Sequence, residues 1–409
     1  MAISSTRRRT PTPARLTRTG VLVLVGSLAL VVAGRLLGLL ELYVLAGAGI
    51  ALVLLAVTGI QWRTPNLQVG RTIHPGRVHA GTASRVELSV MNRGRRTSPV
   101  LGLVDQVSGT GGAQLLVSPV VAGATIAAAY RLPTERRGLI SIGPLTLEQA
   151  DPFGLARRVH RLGLQAELTV LPRVVNLLPL PFSLGNDPLA GAEQPNHLGR
   201  GGEDFYALRP YVVGDDLRRV HWPSTARTGD LLVRQDEQPW QGRVSVLLDN
   251  RRATNDSATF EEMVTTAASV ISASRRRGDL VRLCTSSGLD TGFVAGHSQI
   301  DAIMEHLAVV DLDTNGSWWT GLSHVTSTGS LVAVVGGIRE FDLHALVSAR
   351  ARAGGLTIVQ LGSSDASGPM PVPVDLARRG RVRLVHVPAG TPIEVAWNNA
   401  MGRSAVRSR

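Results

Sequence analysis

The sequence predicts a multidomain chain: two N-terminal transmembrane helices, a β-sandwich (Ig-like) domain and a Rossmann-like α/β domain. Three observations carry this. Two apolar runs, residues 21–40 and 42–60, follow one another near the start. Short strand patterns recur between residues 64 and 181 with turn residues between them. After residue 240 strand-like runs alternate with helical ones, the pattern of a mostly parallel sheet wrapped by helices. The implied organisation is a basic tail (1–20), a helical hairpin (21–62), the β-sandwich (64–181), a linking segment (182–239), the α/β domain (240–398) and a second basic tail (399–409).

At 409 residues and 44% hydrophobic content the chain can bury more than one core. All 43 basic residues are arginine. The absence of lysine removes Schiff-base chemistry and a Walker A loop. The single cysteine, Cys284, excludes an internal disulfide and a multi-cysteine metal site. Part of the +12 net charge is terminal, with Arg7, Arg8, Arg9, Arg15 and Arg18 at one end and Arg403, Arg407 and Arg409 at the other. Next to an apolar run, such a surplus points to anionic lipid of the inner membrane rather than to a specific nucleic acid.

A membrane span needs ~20 apolar residues, and each of the two runs is long enough. A cleavable signal peptide would explain the first run alone; a second run directly after it fits a hairpin better. Arg35 stands late in the first run, where it can reach the far interface, and with Glu41 it marks the short outer turn. Arginines precede the first run, and Arg63, Arg71 and Arg77 follow the second. The positive-inside rule then puts both flanks in the cytoplasm and the protein in the plasma membrane as a two-pass chain.

Strands are expected at 85–90, 101–107, 114–117, 125–132, 139–148 and 167–171, with Asp151-Pro152-Phe153-Gly154 as a turn between two of them. In the α/β part, strands are expected at 244–248, 280–285, 331–335, 356–361 and 382–387, and helices at 260–277, 299–307 and 342–353. Ligands of such sheets sit at the carboxyl ends of strands, where Asp249 stands. Trp318-Trp319, between Gly316 and Gly321, reads as a loop lid or partner contact rather than core. Gly199-Arg200-Gly201-Gly202 lacks the preceding strand and the lysine of a phosphate loop and reads as a flexible approach to the polar segment beyond it.

Residues 199–234 hold two prolines, five glycines, five carboxylates and six arginines. This is too irregular for one helix and too polar for core, so specific side-chain contacts must hold it. Glu203, Asp204, Asp215, Asp216 and His221 are interleaved with Arg209, Arg218, Arg219 and Arg227, which suits a charge network bracing a loop. Two alternatives remain open: a membrane-bound hydrolase using Asp215 and His221, and an anion or nucleic-acid binder relying on the arginine surplus.

The spacing G-E-x-F-x-x-L-R-x-Y-x-x-G-D-x-x-R-x-x-H-W, then A-R and L-x-V-R, closely resembles the signature of the bacterial "domain of unknown function 58" family, as does the D-P-F-G-L element at residues 151–155. The matching positions are Gly202, Glu203, Phe205, Leu208, Arg209, Tyr211, Gly214, Asp215, Arg218, His221, Trp222, Ala226, Arg227 and Arg234. The resemblance implies a von Willebrand factor A-like α/β domain, no assigned catalytic residue or cofactor, and partnership with a MoxR-type AAA+ ATPase and often a transglutaminase-like membrane protein. It implies a role in an ATPase-linked assembly or chaperone-like system, and the chain reads as a membrane-anchored scaffold or adaptor in it rather than an enzyme. A von Willebrand A-like domain would begin its metal-ion-dependent adhesion site at Asp249 with an Asp-x-Ser-x-Ser run. Here the loop reads Asp249-Asn250-Arg251-Arg252-Ala253, so both hydroxyl positions are lost. Two guanidinium groups would repel a cation, and the expectation is an Asp249–arginine ion pair or a capped strand end, with no metal.

Overall fold

The computed structural model describes residues 13–62, 65–181, 205–212, 220–236, 242–323, 329–338, 340–350, 354–362 and 382–407. The chain forms two compact units, Met1–Arg173 with Met304–Val310, and Val174–Ile303 with Asp311–Arg409. The terminal arginines 7–9 and the glycine run 199–202 lie outside the described residues.

The first unit opens with strand β1 (Arg15–Leu16), then helices α1 (Arg18–Leu37) and α2 (Leu40–Trp62). Both helices are long and apolar enough to cross a membrane, with a mean hydropathy of 2.3 in each. Thr17 caps α1 by accepting from the Gly20 amide at 3.1 Å. Gly38, in the left-handed region at φ 69°, ends it. The helix therefore stops before the apolar run does, because Gly38, without a Cβ, takes the left-handed turn and donates its amide to the Gly34 carbonyl. Arg35 in the last turn of α1 and Glu41 in the first turn of α2 each sit at the favourable end of the helix dipole. The pair packs through small residues: a Cβ at Gly49 would overlap Ser27 Oγ, and one at Gly34 would press on the Tyr43 ring. Outward, Leu22, Leu36, Leu40 and Leu55 are each at least 68% exposed.

Nine strands follow: β2 (Leu67–His74), β3 (Arg77–His79), β4 (Arg85–Asn92), β5 (Leu101–Val107), β6 (Ala113–Val117), β7 (Thr125–Arg131), β8 (Gly138–Ala150), β9 (Ala156–Arg161) and β10 (Ala166–Leu171). They form a three-stranded sheet, β2-β4-β7, and a seven-stranded one, β1-β9-β8-β10-β3, with β5 bonded to β8 and β6 to β5. Inward residues of both sheets, among them Val86, Leu88, Val90, Leu103, Leu147 and Leu168, share one core. Along β8 the buried positions switch from Ile140 and Ile142 to Leu145 and Leu147. The register against β5 shifts at the same place, and Gly143 (φ 111°) absorbs the change. The turn 151–155 joins β8 to β9, as the Asp-Pro-Phe-Gly run predicts. Asp151 closes it by accepting from the amides of Phe153 (2.8 Å) and Ala156 (2.6 Å).

One buried polar link joins the two sheets. Arg71 on β2 donates to the carbonyls of Ile142 (3.1 Å) and Leu164 (3.0 Å) and pairs with Asp105 on β5. Tyr130 on β7 donates to the other Asp105 oxygen at 2.7 Å. Burial pushes the Asp105 carboxyl above its ordinary range, against the hydrogen bond of Tyr130 and the charge of Arg71. The Tyr130 hydroxyl is raised as well, by burial first and then by Asp105.

The second unit contains β11 (Phe205–Pro210), α3 (Trp222–Thr228), β12 (Leu232–Asp236), β13 (Arg243–Leu248), α4 (Ser257–Arg277), β14 (Leu280–Thr285), α5 (His297–Val309, whose residues from Met304 count with the first unit), α6 (Trp318–Ser323), β15 (Ser330–Val335), α7 (Glu340–Arg350), β16 (Gly355–Leu361), β17 (Val382–Val387) and α8 (Ile393–Arg407). The five-stranded sheet is wholly parallel in the order β14-β13-β15-β16-β17. Its central strands β13, β15 and β16 are buried along nearly their whole length, as expected of a sheet covered on both faces, while the edge strand β17 is buried at alternate stretches only. Leu247, Ala333, Val335 and Ile358 form one face's core with Trp318, Leu322 and Leu346 of α6 and α7, and α4 packs on the sheet.

Three expectations are corrected. Residues 174–181, read as the end of the β-rich domain, lie with the second unit: the Val175 amide donates to Ser269 Oγ (3.0 Å) and Trp397 Nε1 to the Leu178 carbonyl (2.8 Å). Residues read as a tail from 399 continue α8 to Arg407. Trp318 is core at 2% exposed, not a lid. The glycines that suggest a loop instead let α6 approach the sheet, since a Cβ at Gly321 would lie 2.7 Å from Leu247 and 2.9 Å from the Thr285 carbonyl. The side chain of Trp319 lies outside the described residues.

Candidate functional site

A parallel order of second, first, third, fourth and fifth strand reverses its winding direction between the first and third, and ligands of doubly wound sheets bind outside the carboxyl ends there. In this chain that place is the end of β13 and β15, and Asp249 lies on it, its amide bonded to the Val334 carbonyl at 3.0 Å. Asp249 is completely buried. The guanidinium of Arg251 fills the space in front of it. Nε bonds Asp249 Oδ1 (2.9 Å) and Nη2 bonds Oδ2 (3.0 Å), while Nη1 and Nη2 bond Asp342 Oδ1 (3.1 Å) and Oδ2 (3.0 Å). One planar cation thus clamps two carboxylates bidentately, the geometry that arginine alone among side chains supplies. Below it, the Arg251 guanidinium carbon stands 5.0 Å from the centroid of Trp318, a cation–π contact.

Hydroxyl and amide groups fasten the loop around this pair. Thr254 Oγ1 donates to Asp249 Oδ2 (3.1 Å), and Ser286 Oγ lies 3.2 Å from Asp249 Oδ1. Asn255 donates to the carbonyls of Asp249 (3.1 Å) and Arg251 (2.9 Å) and accepts from the Gly336 amide at 3.1 Å. Gly336 is required here, because a Cβ would fall 2.5 Å from Asn255 Oδ1. Asn250 donates to the Asp311 carbonyl (3.1 Å) and accepts from the Ser287 amide (3.0 Å). Burial opposes the Arg251 charge, but the bonds and charges of Asp249 and then Asp342 outweigh it and hold the guanidinium above its ordinary value. The expected Asp249–arginine ion pair is therefore present, and the arginine is Arg251. Nearby Cys284 is buried, and burial, then Asp290, pushes its thiol up to about 12, far from a reactive thiolate.

The signature forms a separate small module. β11 and β12 pair antiparallel, with Leu208 opposite Arg234 and Arg209 opposite Val233, and a register shift near Phe205. Between them runs α3, tied back where the Leu232 amide donates to Thr225 Oγ1 (3.1 Å) and the His221 amide to the Leu232 carbonyl (2.8 Å). Among its described residues Val220 and Val233 are buried. Tyr211 is half-buried at the end of β11. His221 precedes α3, with Nδ1 2.8 Å from Ser224 Oγ, while Arg227 and Ala226 are exposed and Trp222 is 63% exposed. The structure thus brings Phe205, Leu208, Arg209, Tyr211, His221, Trp222, Arg227 and Arg234 into one module through their backbone. Gly202, Glu203, Gly214, Asp215 and Arg218 lie outside the described residues.

One stretch of the chain is similar to a known family. Residues 207–335 match the family described as "Protein of unknown function DUF58". The DUF58 stretch runs from the signature hairpin to the end of β15; it includes Asp249, Arg251 and Ser286 but stops short of Asp342. No curated protein matches the chain significantly. Among solved structures it is similar to the CARDB domain of the PF1109 protein from Pyrococcus furiosus, at 17% identity over 26% of this chain and 93% of that one, with a TM-score of 0.21. It is also similar to the SpRpn10 VWA domain, at 9% identity over 41% of this chain and 97% of that one, with a TM-score of 0.27. A β-glucosidase from Erythrobacter marinus overlaps 26% of this chain and 16% of its own length at 17% identity and a TM-score of 0.18.

Proposed function

We propose that the chain is a two-pass plasma-membrane protein whose soluble units face the cytoplasm and act as a scaffold or adaptor for a protein partner, a MoxR-type AAA+ ATPase. In this reading the first unit is an Ig-like β-sandwich and the α/β unit is von Willebrand A-like. The observation that carries the proposal is the DUF58 module. Among the described residues β11 and β12 form a two-stranded sheet with one further bridge, Val233 to Val220, and Val212 and Trp222 beside them are 62% and 63% exposed. A two-stranded hairpin is marginal in water, and exposed aromatic side chains are what protein interfaces bury at their centres. The switch-point crevice offers less to a small ligand, since Arg251 already takes the carboxylate oxygens that line it.

Capture of a MoxR-type ATPase by the full chain in detergent is expected to weaken ~30-fold on Trp222→Ala, as for a central interface aromatic worth at least ~2 kcal/mol. The melting temperature should stay in place because the side chain is mostly exposed. Undiminished capture would overturn the assignment of the module as the docking surface.

The position of β1 supports the two-pass reading. This strand pairs with β9, Arg15 opposite Arg157, so the segment before α1 and the domain after α2 belong to one sheet. That arrangement supports a retained hairpin over a cleaved signal, whose removal would strip a strand from the domain. A reporter active only outside the cytoplasm, fused to the C-terminus of the full chain, should be silent. Strong reporter activity would turn the soluble units outward and remove a cytoplasmic ATPase from consideration.

A further inference from the structure

Where α1 begins, three arginines occupy positions that folding alone disfavours. Arg15 on β1 lies directly opposite Arg157 on β9. Residues so placed project to the same face with Cβ atoms ~4.5–5.5 Å apart, and like charges there are destabilising. Arg18 opens α1, where the helix dipole disfavours a cation. All three are exposed, and none belongs to an ion pair among the described residues.

Two large apolar side chains are exposed at the same end of this unit: Phe153, 63% exposed in the β8–β9 turn, and Trp62, 88% exposed at the end of α2. That turn is fixed to the start of α1, since the Thr17 amide donates to the Leu155 carbonyl (2.9 Å) and Thr17 Oγ1 to the Gly154 carbonyl (2.5 Å). Leu155 and Ala156 in turn share a small core with Val53, Ala56 and Ile60 of α2. The arginines and both aromatics therefore sit at the level where α1 starts and α2 ends.

We propose that this end of the unit binds anionic phospholipid, with a headgroup phosphate between Arg15 and Arg157 and with Phe153 and Trp62 at the boundary of headgroups and acyl chains. This rests on the reading of α1 and α2 as membrane spans. A phosphate accepting from both guanidinium groups turns a repulsive cross-strand pair into a charge-assisted clamp. Aromatic residues favour the interfacial layer, and each arginine near an anionic surface contributes about fivefold in affinity.

The test uses the full chain in nanodiscs of phosphatidylcholine with and without phosphatidylglycerol, comparing the unaltered protein with the Arg15→Gln/Arg157→Gln double variant. Affinity for phosphatidylglycerol is expected to fall about 25-fold in the double variant, two factors of about five. In pure phosphatidylcholine the double variant should melt no lower than the unaltered protein, because only repulsion has been removed. Equal phosphatidylglycerol affinity in the two proteins would overturn the site. So would lower melting of the double variant in phosphatidylcholine, or inorganic phosphate stabilising the unaltered protein as well as the lipid does. Carbonate extraction of native membranes checks the underlying reading separately. Release of the chain sinks the spans themselves, whereas a retained chain with unchanged lipid affinity sinks the headgroup site alone.

Discussion

Arg251→Ala is expected to destabilise the α/β unit by ~3–5 kcal/mol, because it leaves two buried carboxylates without their shared cation. Asp249 is 0% and Asp342 7% exposed at the side chain in their pairing with Arg251, so water compensates little. Magnesium or manganese is expected to restore part of the loss in the variant while leaving the unaltered protein's melting temperature unchanged. The guanidinium occupies the space between oxygens that a hard divalent cation would use, namely both Asp249 oxygens, those of Asp342 and the hydroxyls of Thr254 and Ser286. Once that space is open, a cation at a hundredfold its Kd would add about 2.7 kcal/mol. Thermal melts with and without the ion on both proteins check this. Saturable stabilisation of the unaltered protein would mean that Arg251 yields to metal and is not the resident cation.

The α/β unit was legible because its central strands β13, β15 and β16 are buried along nearly their whole length and read as mostly apolar runs; at its edges 280–285 and 382–387 still coincide with β14 and β17, although Arg282, Arg383 and His386 interrupt them. The β-rich unit was legible only where alternation was clean. β2 escaped because its third inward position is Arg71, 6% exposed, so the residue that joins the sheets also breaks the pattern. β9 escaped because Arg157, Arg158 and Arg161 outnumber its apolar residues. α8 carries its signal in Ile393, Trp397 and Met401, four apart and all buried, but Asn398 and Asn399 between them read as loop. In the candidate site, Asp249 announced itself as a polar residue closing an apolar strand. Asp342 did not, because it meets Arg251 from 91 residues away, and no spacing rule links them. The usable clue was positional: Asp249 directly follows β13, Asp342 lies in the first turn of α7, the helix after β15, and those two strands are neighbours.

Arg71→Met should lower the stability of the first unit by ~3–5 kcal/mol near neutral pH, and the deficit should shrink as pH falls toward 4. The sign follows from Asp105. Burial already raises its carboxyl from 3.8, and the charge and hydrogen bond of Arg71 are two of the three influences that pull it back. Removing Arg71 therefore raises the folded value further. A group raised in the folded state favours folding most below its unfolded value, here 3.8, and that contribution is lost as pH rises through the folded value. The variant must then bury an uncompensated carboxylate or hold a proton against the solvent. Adding Asp105→Leu to Arg71→Met should recover much of the loss and flatten its pH dependence, since a well-packed apolar pair can replace a buried ion pair at little cost. Melts of the full chain in detergent between pH 4 and pH 8 distinguish the cases. A deficit constant across that range would mean that Arg71 acts through its packing and its bonds to the carbonyls of Ile142 and Leu164, and not as the counter-charge of Asp105.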